Sequence, residues 1–188
     1  ITKLIAKYHE KGFLDAAIEY EVRSDTKTAT VDLVFKVAEG PKSRIELVEL
    51  GGVTSFKRKT LLKLMKNARK KFYVATELTS DVQKIEAHFK NNGFLDVVLS
   101  SPLVTLSADK TRINIALGVT EGRSYRFGKT TFTGNLIYTS SEVAKAVEYR
   151  EKKIFSQEKF EETKRQIARK KKKIYRRRKL RSVPLDLL

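Results

Sequence analysis

Two histidines, His9 and His88, are the only imidazoles in the 188-residue sequence, and each lies near the end of an apolar-periodic segment. A residue on a helix surface is the ordinary role for a lone histidine in that position. Cys is absent, so disulfide scaffolds, thiolate zinc sites and Cys nucleophiles are excluded, while either redox compartment is compatible. His-Glu-x-x-His, Walker, Gly-x-Ser-x-Gly and Gly-x-Gly-x-x-Gly motifs are all missing. Asp15 and Asp96 each close a Gly-Phe-Leu-Asp string, which suits a local backbone hydrogen bond better than a metal. Glu39-Gly40 and Glu121-Gly122 end apolar alternations, where turn geometry explains the pair better than acid–base work. These residue types predict no enzyme, no cofactor and no metal.

The elements that position them recur. Tyr8–Asp15 returns as Phe89–Asp96 at an offset of 81, and Glu39–Arg44 returns as Glu121–Arg126 at an offset of 82. Of nine glycines, six fall in register as Gly12/Gly93, Gly40/Gly122 and Gly52/Gly134, which marks positions needing a special backbone. The sequence is a tandem array with a period near 81, divided as 1–40, 41–121 and 122–188. The outer two pieces are parts of units. The chain opens on Ile1 without Met or a charged-then-apolar leader, so a secretory leader is expected to be removed or to lie outside this sequence.

Within the middle unit, Arg44–Leu50 is β-rich, and its broken alternation suggests a bulge. A short helix with Leu61, Leu62, Leu64 and Met65 on one side is expected next; its counterpart in the last piece begins at the capping-box string Thr139–Glu142. Leu78, Val82, Ile85 and Phe89 form the stripe of a second amphipathic helix, which Asn91-Asn92-Gly93 should stop in a left-handed cap. A hairpin follows, from Val97–Leu106 through a turn at Ser107–Lys110 into the alternating Ile113, Ile115, Leu117 and Val119. The first piece repeats it, with Ala16–Val22, a turn at Ser24–Lys27, then Val31, Leu33, Phe35 and Val37. The expected class is α+β, in tandem β-α-α-β-β units. Each is a three-stranded sheet with two helices on one face and solvent on the other.

The β-α-α-β-β order, the helix-Gly-Phe-Leu-Asp junction and the Glu-Gly-Pro-x-x-Arg-Ile linker resemble POTRA domains, above all those of BamA-like outer-membrane β-barrel assembly proteins. Thr28–Arg44, Asn91–Glu121 and Tyr125–Asn135 carry the likeness, which spans roughly Ile1 to Ala168. It implies a periplasmic scaffold at the outer membrane, part of a longer barrel-anchored chain. Its partners would be unfolded outer-membrane proteins and accessory lipoproteins. It also implies that the strand after the second helix is an exposed sheet edge, open to strand addition by an extended peptide. The candidate edge is Val97, Val98, Leu99, Ser100, Ser101, Leu103, Val104 and Thr105 in the middle unit. Ala17, Ile18 and Tyr20 are its counterpart in the first. Pro102 fits an edge because it lacks a ladder donor.

Charge supplies the competing readings. Lys and Arg number 40 against 22 Asp and Glu, for a net charge of +18 and a pI near 10.0. Twelve of the basic residues, with no acid, fall between Lys164 and Arg181, where the repeat pattern fails for want of a Gly. Arg169, Lys170, Lys171, Lys172, Lys173, Arg176, Arg177 and Arg178 are candidate contacts to an anionic membrane surface. A solvated helix end is the plainer reading of that run. A nucleic-acid partner is the rival class, and the presence of only Tyr175 as a stacking aromatic there argues against it. Two-partner secretion or organelle import transporters share the same domains and form a third reading. Val183–Leu188 could begin a further strand, which Pro184 would confine to an edge. No run of about 18 apolar residues is present.

Overall fold

In the computed structural model, residues 1–134 and 138–177 are described, with side chains up to residue 170. By contacts the chain divides into two compact units, Ile1–Ile85 with Leu99–Thr120, and Glu86–Val98 with Glu121–Leu188.

In the first unit, helix α1 (Thr2–Glu10) leads into an antiparallel hairpin of β1 (Ala17–Asp25) and β2 (Thr30–Ala38). The strands run further than the alternation suggested, and the turn falls at 26–29 rather than at Ser24–Lys27. Asp25 explains the shift: it still pairs with Thr30, and its Oδ1 accepts the Lys27 N–H at 2.8 Å, closing the turn beyond it. Ala29 then takes a φ of +51°.

The central sheet follows the expected plan. Strand β3 (Arg44–Gly51) lies parallel to β6 (Arg112–Thr120), and β6 is flanked on its other side by β4 (Val98–Leu99) and β5 (Leu103–Leu106). The broken alternation at Ile45/Leu47 is a register shift, so the expected bulge is present. Helix α2 (Arg58–Leu62) and a 3-10 turn (Asn67–Arg69) precede α3 (Ala75–Asn91). Leu61, Met65, Ile85 and Phe89 are fully buried, as are Ile113, Ile115 and Leu117 on one face of β6. Apolar burial of this kind contributes about 25 cal/mol per Å² and holds helices to one side of the sheet. The counterparts of those β6 residues in the first hairpin, Val31, Leu33 and Phe35, are 61, 60 and 54% exposed. The same alternation is therefore covered in the middle repeat and open in the first.

Asp81 ties the first helical turn to the second helix. Fully buried on α3, it accepts the N–H of Lys66 at 2.7 Å and of Asn67 at 2.9 Å, satisfying donors left free at the start of the 3-10 turn. Burial raises its carboxyl pKa, but the Asn67 and Lys66 N–H bonds outweigh that and hold it below the ordinary value.

The second unit contains α4 (Ser140–Ala144) and α5 (Gln157–Arg177). Thr139 Oγ1 accepts the Glu142 N–H, while the Glu142 carboxylate accepts the Thr139 N–H, so the capping box read from sequence is formed. Where the repeat places the equivalent of β3, no ladder forms among the described residues; Arg126 makes an isolated bridge with Ile154, and the Phe127 N–H donates to Lys153 O. Phe127 stacks on Tyr149 at 3.8 Å and packs beside Phe155, forming an aromatic core. The basic run does not interrupt the helix: α5 continues through it to Arg177, because Lys and Arg are good helix formers and no Gly or Pro intervenes. Val183–Leu188 lies outside the described residues.

Candidate functional site

The glycine register turns out to be a junction motif. Gly12 and Gly93 both have φ of +96°, one residue past the turn that ends α1 or α3. The carbonyl of Gly12 accepts the Ser43 N–H at 2.7 Å, and that of Gly93 accepts the Tyr125 N–H at 2.8 Å. A Cβ on either glycine would sit 2.7 Å from Ser43 O or 2.9 Å from Tyr125 O. Left-handed backbone and close approach thus both require Gly. Gly40 and Gly122, also at positive φ, press against Asp15 and Asp96.

The two aspartates correct the expectation of a local backbone bond. Asp15 pairs with Lys110 at 2.5 Å, in the turn of the following hairpin, and Asp96 accepts the Tyr125 hydroxyl at 2.5 Å. The bond to Asp96 raises the Tyr125 phenol pKa. Both aspartates fix junctions through side chains far away in sequence. His9 and His88 are half-buried on helices, and burial lowers the His88 pKa. Among the described residues no His, Asp and Glu cluster could hold a metal, and no helix is long and apolar enough to cross a membrane.

The candidate edge needs its register. Ser107 N–H donates to Arg112 O, so the pairs Thr105/Asn114 and Leu103/Ala116, two and four residues away, also turn their backbone groups toward β6. Val104 and Leu106 consequently turn theirs outward. Ser100 N–H donates to Gly118 O, and Ser100 Oγ accepts the Gly118 N–H. Between Ser100/Gly118 and Leu103/Ala116, two residues, Ser101 and Pro102, oppose Leu117 alone. This is a second bulge, and it splits the strand expected over Val97–Leu106 in two. Val97 precedes the ladder and is buried; its N–H donates to Phe94 O. The open edge is therefore carried by Leu99, Val104 and Leu106, of which Leu106 was outside the residues singled out from sequence. The pairing arithmetic from the Ser107–Lys110 turn contains the signal for it.

The opposite edge is closed by the chain itself. Ile45 N–H donates to Lys71 O at 2.9 Å, and the Arg58 guanidinium donates to Val48 O at 2.8 Å. On the solvent face beside the open edge, Val98 and Leu103 are each 62% exposed. In the first hairpin, Ala17, Ile18 and Tyr20 lie on β1, whose partner is β2; Ile18 is buried, while Ala17 and Tyr20 are exposed.

The basic residues are only partly placed. Arg169 is exposed beside Glu162, and the Lys170 ammonium donates to Glu142 O at 3.1 Å. Lys171, Lys172, Lys173, Arg176 and Arg177 lie on α5, with side chains outside the described residues, and Arg178 is outside them altogether.

A parallel bulged strand, a buried helix pair on one face and a glycine-set junction define a modular α+β repeat. The POTRA family model, described as a surface antigen variable number repeat, matches residues 43–122 and 125–180, and the chain belongs to this family. Its region is BamA-like. It is 29% identical over 156 residues to the outer membrane protein assembly factor BamA of Nitratidesulfovibrio vulgaris, covering 78% of this chain and 20% of that protein. It is 26% identical over 157 residues to BamA of Neisseria meningitidis, covering 78% and 19%. The chain thus spans about a fifth of the length of these relatives. The crystal structure of Haemophilus influenzae BamA POTRA3-5 shares the fold, with a TM-score of 0.54 at 17% identity over 90% of this chain and 67% of that one.

Proposed function

We propose that the chain is the periplasmic scaffold and receptor region of an outer-membrane protein assembly factor, acting without catalysis of its own. Its domains would be 1–40, 41–121 and 122–188, the outer two being parts of POTRA units. Unfolded β-barrel proteins would add a strand at the open edge, and accessory lipoproteins would dock on the array. The observation that carries this reading is the asymmetry of the central sheet. One edge is capped by Lys71 and Arg58, while Leu99, Val104 and Leu106 turn their backbone groups outward with no partner among the described residues. Main-chain pairing reads extension and alternation rather than a particular sequence, which suits a receptor for many barrel strands. Arg169–Arg178 would meet an anionic membrane surface, as an accessory to that role.

An NMR titration with an alternating barrel-strand peptide tests the receptor reading. Amide shifts over Val97–Leu106 are expected. Shifts confined to α2 and α3 would refute it.

A further inference from the structure

A second strongly basic segment lies well away in sequence from the C-terminal run. Lys57, Arg58, Lys59, Lys63, Lys66, Arg69, Lys70 and Lys71 occupy 15 residues that contain no acid. All eight are exposed, while Leu61, Met65 and Asn67 between them are buried and pin the segment to the core. The cations therefore stand clear of the core along α2 and the 3-10 turn that follows it. Three are engaged. Arg58 caps Val48 O, and Lys66 and Lys70 hold Glu77 at 3.4 and 2.7 Å, which together lower the Glu77 pKa. Lys57, Lys59, Lys63, Arg69 and Lys71 have no carboxylate partner among the described residues.

The composition of this surface narrows its partner. Protein interfaces are anchored by exposed aromatic or aliphatic side chains and are depleted in Lys. Six of the eight cations here are Lys, and no large apolar side chain between Val53 and Val74 is among the exposed ones. Single-stranded nucleic acid would need stacking aromatics standing free, and Phe56, Phe72 and Tyr73 are half-buried. A lipid surface needs neither anchor, only a group of mobile cations facing a plane of phosphates. We propose that the outer side of α2 and the adjoining 3-10 turn is a contact surface for anionic phospholipid headgroups, independent of the strand-addition edge and of the C-terminal basic run.

The test is vesicle flotation of the full chain at low salt, with phosphatidylcholine vesicles carrying or lacking phosphatidylglycerol. Because α5 is also basic, the comparison is made in a background with Lys171, Lys172, Lys173, Arg176 and Arg177 changed to Gln. In that background, binding to the anionic vesicles should persist. K57Q/K59Q/K63Q/R69Q/K71Q should weaken it more than about tenfold, and Lys63→Gln alone by up to about fivefold. The changed side chains are exposed and lack carboxylate partners, so circular dichroism should not move; K59Q/K63Q gives the same reading with two changes if the fivefold variant unfolds. Undiminished binding in the variants, equal binding to neutral vesicles, or tighter binding of the same surface to a DNA duplex or to polyglutamate would each overturn the proposal.

Discussion

The middle unit and the helical pair that follows it start from the same plan and differ in what the second helix offers. At an offset of 82, Asp81 corresponds to Thr163, and both are buried. Asp81 gathers two backbone N–H groups, those of Lys66 and Asn67; Thr163 Oγ1 accepts one, from Glu148, the counterpart of Lys66. The stripe Leu78, Val82, Ile85 and Phe89 corresponds to Phe160, Lys164, Ile167 and Lys171. Two of four apolar positions have become Lys, and among the described residues no strands follow α5. The polar tie between the helices is thus kept where the apolar face is not. That tie belongs to the helix pair, whereas the stripe belongs to the sheet it covers.

The largest effect should come from breaking the stronger tie. Asp81→Ala strands two buried N–H groups and should cost about 3 kcal/mol in urea unfolding, against about 1 kcal/mol for Thr163→Ala. Equal losses would erase the distinction. Exchanging the stripe residues comes next. Val82→Lys should destabilise the middle unit by about 2 kcal/mol, while Lys164→Val should stay within about 0.5 kcal/mol of wild type by thermal melting. The junctions follow. Gly93→Ala meets both the positive φ and Tyr125 O and should cost about 2 kcal/mol, whereas Gly128→Ala, with open space around it, should be nearly silent. The smallest effect is a titration. Bonds from the Ser107 side chain, then from Thr111, hold the Asp109 carboxyl down at about 2 from its ordinary 3.8. A depressed carboxylate stabilises the folded turn above pH 3.8 and loses that contribution as the pH falls toward about 2. Carbon-13 detection of the Asp109 carboxyl should show that midpoint, and one near 3.8 would mean the turn is not formed.

Sequence disclosed the plan because backbone needs constrain residue type. Gly12, Gly40, Gly52 and their counterparts all take positive φ, so the repeat in glycines is a repeat in conformation. The Thr139–Glu142 box and the α3 stripe were legible for the same local reason. Asp15 was not, since its partner Lys110 lies 95 residues away and only the folded junction brings them together. The edge was legible as an edge through Pro102. The outward turn of Leu106 follows from the register set at the Ser107–Lys110 turn, whereas the bulge at Ser101 and Pro102 depends on pairing with β6, which no local pattern encodes. The basic surface around α2 was hidden because its charge is diluted by acids elsewhere in its unit, while the C-terminal run has none.

The central claim is that one edge of the sheet is available for strand addition and the other is closed. Amide hydrogen exchange on the full chain, with and without an alternating barrel-strand peptide, tests it residue by residue. New protection is expected at Val104 and Leu106, with Leu103 and Thr105 already slow and unchanged. Protection that appears instead along β3, or that leaves Val104 and Leu106 exchanging as before, would contradict it.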